Sequence, residues 1–131
     1  MRYLLNIYVD ESRWENPAPD ERQAAMEAYR AFDREVREAG AFVAGEGLTP
    51  SATATVVRVR AGERMLTDGP FAETREALGG FYLLECKDLD EAIEWAAKIP
   101  GAHAGAVEIR PAIDFEEREA ETRAAREAAR A

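Results

Sequence analysis

The chain has 131 residues, 47% of them hydrophobic, which suits one folded domain with its own core. A formal net charge of −9 argues against binding nucleic acid through phosphates or an anionic membrane surface, and suits solubility or a basic protein partner. A single cysteine, a single histidine and the lack of any membrane-length apolar run exclude a disulfide framework and a cysteine zinc cage, and point to the cytoplasm.

Arg2–Val9 is rich in Tyr, Leu, Ile and Val and apolar on both faces apart from Asn6, so it is expected at the centre of a sheet. Asp10–Pro19 is a polar connector that reads as a lid or partner-contact loop. The alternative, taken as the expectation, is that its Trp14 packs down on the core. Asp20 with Gln23 fits a capping box for a helix ending at Gly40 as a left-handed cap. Ala25, Tyr29, Phe32, Val36 and Ala39 recur at steps of four and three, giving one apolar stripe.

Ala41–Leu48 reads as a short strand, with Gly45 and Gly47 permitting a bulge or close backbone approach. Thr53–Arg60 alternates with period two, and Arg64–Thr67 returns as its hairpin partner. Asp68-Gly69-Pro70 is a turn: Asp bonds its own following backbone, Gly takes positive φ, and Pro fixes φ. Phe71 is expected to re-enter the interior, Ala72–Ala77 to form a helical turn, and Phe81–Cys86 to run as a strand with Cys86 a buried, inert thiol. Asp88 and Glu91 open a second helix, to about Ile99, that buries Leu89, Ala92, Ile93, Ala96 and Ile99, with Trp95 near the edge of the stripe. Gly105–Arg110 is the last core strand. Asp114 and Glu117 start a charged helical tail over residues 114–131, held by i,i+4 pairs and almost without an apolar face.

These elements give an α+β fold, a ferredoxin-like β-α-β-β-α-β plan with the Thr53–Thr67 hairpin inserted. Two helices cover only one face of the sheet. The other face keeps apolar positions from the first strand and Phe81–Cys86, and must meet something.

The run Asp68-Gly69-Pro70-Phe71-Ala72-Glu73-Thr74-Arg75-Glu76, followed by Gly79-Gly80-Phe81 and an aliphatic strand, resembles the DGPF-motif branch of the YCII-related proteins. The resemblance extends over residues 1–113, taking in Arg2–Val9, Gly45-Glu46-Gly47-Leu48 and Val107-Glu108-Ile109-Arg110-Pro111. It implies face-to-face pairing of two subunits as a dimeric α/β barrel, hence a homodimer. It also implies a cleft between helix and sheet that in the family has been linked to a His–Asp pair. The first helix here has no histidine and offers Tyr29 instead, so only Asp68 carries over.

No metal-ligand spacing and no glycine-rich phosphate loop is present, so neither a metal nor a cofactor is expected. The remaining chemistry is acid–base, with Asp68 and His103 as candidate catalytic groups. Tyr29, Glu46 and Phe71 are the candidate ligand contacts. Each has a plainer reading: Asp68 as a turn former, His103 as an exposed loop residue, Tyr29 as a core tyrosine, Glu46 as a surface charge. Two functions follow. One is a dimer that binds a small polar or aromatic molecule in a cleft near Asp68 and acts on it by acid–base chemistry. The other is a non-enzymatic interaction or regulatory module, since DGPF-type proteins resemble companions of extracytoplasmic-function sigma factors.

Overall fold

A computed structural model describes all 131 residues. The first strand, β1 (Arg2–Val9), has the predicted bounds. It lies between β5 (Ala77–Glu85) and β6 (Ala106–Pro111), and β2 (Phe42–Gly47) flanks β5. The sheet order is β2-β5-β1-β6 and every pairing is antiparallel. Alternation along β1 sends Tyr3, Leu5 and Ile7 into the core, while Leu4, Asn6 and Tyr8 stay half-exposed on the opposite face. The register is interrupted once between Ile7 and Tyr8, where Gly79 is the extra residue on β5. A Cβ there would come within 2.9 Å of Val9 Cγ2, so the bulge needs glycine.

Two helices cover the face carrying Tyr3, Leu5 and Ile7. The first, α1 (Pro19–Glu38), buries Phe32 and Val36 and ends before Gly40, whose φ of 73° supplies the expected left-handed cap. The capping box at Asp20 and Gln23 is not formed. Pro19 already holds a helical φ and starts the helix earlier, behind Ala18, which makes no side-chain cap; Asp20 and Glu21 instead lie in the first turn, facing the helix dipole. The second helix, α2 (Leu89–Lys98), is capped as expected: Asp88 accepts from the Glu91 N–H at 2.9 Å. Its buried face is turned relative to the predicted stripe. Ala92, Ala96 and Ile99 are buried, whereas Leu89 and Ile93 are exposed. The two small alanines bring the helix close to the sheet. Trp95 packs edge-on against Phe32 at 6.2 Å, which in turn meets Tyr82 at 4.9 Å.

The predicted hairpin is present but separate. Strands β3 (Thr55–Arg60) and β4 (Glu63–Asp68) pair only with each other. Thr53 falls outside β3, in a 3-10 turn over Ser51–Thr53 where its hydroxyl donates to the Pro50 carbonyl at 2.6 Å. Val57 and Leu66 face each other across the hairpin and are both more than half exposed. The insertion is closed at its base, where the Leu48 N–H donates to the Gly79 carbonyl at 2.9 Å.

Beyond Asp68 the turn forms with Gly69 at φ 99°. Phe71 does not return to the interior; it is 79% exposed, beneath the Arg58 guanidinium. The helical turn expected over Ala72–Ala77 is absent: the Thr74 hydroxyl donates to the Glu76 carbonyl, a local bond that competes with helix. The third helix, α3 (Phe115–Arg130), is capped by Asp114 as predicted and has no buried residue. No helix is long and apolar enough to cross a membrane.

Candidate functional site

At the end of β1 the chain turns sharply, and the turn has a local cause. Asp10 Oδ1 accepts from the Ser12 N–H at 3.1 Å and the Ser12 hydroxyl at 2.6 Å, which winds Glu11–Trp14 into a 3-10 turn. Glu11 fastens that turn to the start of the insertion, its two oxygens each taking a 2.7 Å bond from the N–H and the hydroxyl of Ser51. The Arg75 Nε lies 3.6 Å from Asp10 Oδ2, so the motif-bearing connector also reaches back to this point. The bond from the Ser12 hydroxyl, helped by the Ser12 N–H and by Arg75 against a burial effect, holds the Asp10 carboxyl below its ordinary range.

The turn forms one wall of a cleft. Arg13 and Trp14 line it together with Val9 and Asp10; Ala25 and Tyr29 of α1 and Pro100, Gly101, Ala104 and Gly105 complete it, enclosing about 330 Å³. That is the small end of the range for metabolite sites. A second cleft of about 390 Å³ shares Val9 and Tyr29 and is lined further by Asp33, Glu46, Tyr82 and the glycines 45, 47, 79 and 80. Tyr29 therefore stands between the two.

The Tyr29 hydroxyl accepts a hydrogen bond from the Gly101 N–H at 3.1 Å and donates none. Burial raises its pKa, over the opposing bond from Gly101, so the group is a neutral phenol with a proton to give. Tyr82 is pushed up to about 12, by burial first and by the charge of Asp33 next. Asp33 itself is paired with Arg37 at 2.7 Å. Gly45 lies under the Tyr82 ring, where a Cβ would come within 2.8 Å of Cδ1; this is the close approach its position suggested.

Of the residues chosen from sequence, the structure brings Tyr29 and Glu46 to a common cleft. Asp68 and His103 line neither cleft. Asp68 ends β4, exposed, and makes no side-chain hydrogen bond or ion pair; His103 is exposed at the end of the 3-10 turn Pro100–His103. The two do not meet within the chain, because the hairpin carries Asp68 away from the main sheet. Phe71 is on that outer surface too. Trp14, expected in the core, is 45% exposed and lines the cleft, which supports the lid-loop reading of Asp10–Pro19. Asp10, Arg13 and Arg75 were missed. The Asp10-Glu11-Ser12 order is an Asx-turn signal that marks the first of them.

The sequence model of the YCII-related domain matches residues 1–116. The chain belongs to the YCII-related family. An uncharacterised protein of Rhizobium meliloti (strain 1021) is 39% identical over 113 residues, covering 85% of this chain and 91% of that protein. The similarity thus spans the four-stranded sheet, both packed helices, the insertion and the Tyr29 cleft of this YCII-related domain. The match ends at the first residues of α3.

Proposed function

We propose that this YCII-related protein, of the DGPF branch, binds a small planar molecule in the cleft walled by Trp14, Arg13 and Tyr29. The observation that carries this reading is Tyr29: a partly buried hydroxyl with its proton unspent, between two cavities and opposite an aromatic side chain that the core does not take up. Apolar walls with a few convergent polar groups are the usual make-up of a ligand site. Tyr29 is the group in the lining with a proton to transfer to the ligand; Asp68 and His103 do not line the cleft, although His103 adjoins its wall at Ala104. The working form is a homodimer, closed over the sheet face that holds Leu4, Tyr8, Phe81 and Leu83.

The test is a thermal-shift and titration screen of aromatic and heterocyclic metabolites against wild type, Trp14→Ala and Tyr29→Phe. A compound that stabilises wild type and loses its effect in both variants supports the reading. Compounds that stabilise all three equally would remove it.

A second reading is supported by α3, a charged helix without a buried residue whose root exposes Ile113 and Phe115. In that reading the protein is a regulatory partner of an extracytoplasmic-function sigma factor. Co-purification of such a factor by the full chain, lost when residues 114–131 are removed, would favour it over the first.

A further inference from the structure

The cleft beside Trp14 is unequal in its hydrogen-bonding groups. Three side-chain donors in it have no partner: the Arg13 guanidinium, the Trp14 indole N–H and the Tyr29 O–H. Arg13 forms no ion pair, although acidic residues outnumber basic ones by 26 to 17 in the chain. The one carboxylate in the lining, Asp10, is engaged on both oxygens, by Ser12 and by Arg75. The Gly101 and Gly105 N–H groups are also spent, the first on Tyr29 and the second on the Gly101 carbonyl at 2.8 Å. What the cleft has left to offer is donors on apolar walls.

We propose that the ligand of this cleft is an anion with a planar apolar body, an aryl or heteroaryl carboxylate, held by Arg13 and the Tyr29 hydroxyl with its ring against Trp14. This rests on the cleft reading above and adds the charge of the ligand to it. A carboxylate takes two N–H bonds from one guanidinium and a further bond from a phenol, so it would use the donors that the protein leaves free. A cationic ligand would meet Arg13 with no free carboxylate beside it. The net charge of −9 repels anions at long range, but beyond about 8 Å physiological salt screens that field, and inside the cleft the nearest unpaired charge is Arg13. Arg13 is therefore a specificity-determining residue, selecting against the neutral isostere.

The experiment titrates three carboxylates (benzoate, 1-naphthoate and indole-3-acetate) and their primary amides into the full chain by calorimetry. It uses wild type, Arg13→Gln and Tyr29→Phe at two salt concentrations. Arg13 is exposed on its turn, so the glutamine variant keeps the fold. The expected result is that at least one carboxylate binds wild type about tenfold to a hundredfold more tightly than its amide. Arg13→Gln abolishes that ratio by weakening the carboxylate far more than the amide, and Tyr29→Phe reduces it. Higher salt weakens the carboxylate and spares the amide. Amides that bind as well as carboxylates, or a ratio that survives Arg13→Gln, overturn the anion assignment and leave the cleft standing. If no member of either series binds at millimolar concentration, both the assignment and the planar-ligand reading fall.

Discussion

Replacing Gly101 with alanine is a direct test of how the cleft is built. The φ of Gly101 is outside the left-handed region, so the cost of a side chain there is steric. A Cβ would come to 2.7 Å from Ile7 Cγ2 and 2.8 Å from the Tyr29 hydroxyl oxygen, well inside van der Waals contact. Overpacking of this kind costs about 1–3 kcal/mol. Displacing the phenol also breaks the bond from the Gly101 N–H, worth about 1 kcal/mol. Alanine recovers roughly 0.5 kcal/mol by restricting the unfolded chain. The net expectation is a loss of about 1.5–3.5 kcal/mol. Tyr29→Phe alone leaves the Gly101 N–H without its partner and costs about 1–2 kcal/mol. The double variant is the decisive one. Removing the hydroxyl relieves part of the clash, and the bond can be lost only once, so the two effects should fall short of their sum by about 1–2 kcal/mol. Urea unfolding followed by circular dichroism, at one fixed protein concentration, measures all four species. Additivity within about 0.5 kcal/mol would show that the hydroxyl does not press on Gly101 and that the cleft wall is drawn wrongly.

Tyr82 should remain protonated to about pH 12, and Asp33→Asn should lower that value, both read from tyrosinate absorbance. Because its folded pKa lies above the unfolded one, the contribution of Tyr82 to stability is complete below about pH 10 and is lost as the pH climbs through 12. Cys86 is 2% exposed, with its pKa raised by burial first and by Glu91 next, so a thiol reagent should label it only after denaturation; rapid labelling of the native chain would contradict its place in the core. If the proposed homodimer closes over this face, Phe81→Glu, on the half-exposed side of the central sheet, should leave a monomer in sedimentation at micromolar concentration where the wild type is a dimer. An unchanged sedimentation coefficient would dismiss that face as the interface.

The framework was legible wherever one physical rule acted alone. A continuous apolar run placed β1, period-two alternation placed β3, the step of four and three found Phe32 and Val36, and Asp88 and Asp114 announced their helices. Legibility failed where tertiary contacts chose between local options. Leu89 and Ile93 satisfy the helical period as well as Ala92 and Ala96 do, but the sheet accepts only the alanines at short distance. Phe71 looked like a core residue because apolar residues usually are, yet the hairpin carrying its neighbours never joins the main sheet. The site divided in the same way. Tyr29 and Glu46 lie on elements whose position the pattern defines. Arg13 and Trp14 depend on a turn held by Ser12, Ser51 and Arg75, and no local pattern brings residues 12, 51 and 75 together. Asp68, the most conspicuous acid of the motif, is an exposed strand-end residue that lines neither cavity.

The excursion between β2 and β5 leaves and rejoins the framework through one backbone bond, from Leu48 to Gly79. Residues 49–76 thus hang from a closed base, and lengthening a loop of that size is cheap, about 0.6 kcal/mol for each doubling. The ferredoxin-like scaffold is nearly blind to what it carries there. The cleft is not, because Ser51 and Arg75 reach back from the excursion to Glu11 and Asp10. Segments grafted between Leu48 and Ala77 should therefore alter recognition while sparing foldability, which makes this junction a natural place for a lineage, or a protein engineer, to exchange specificities on an unchanged frame.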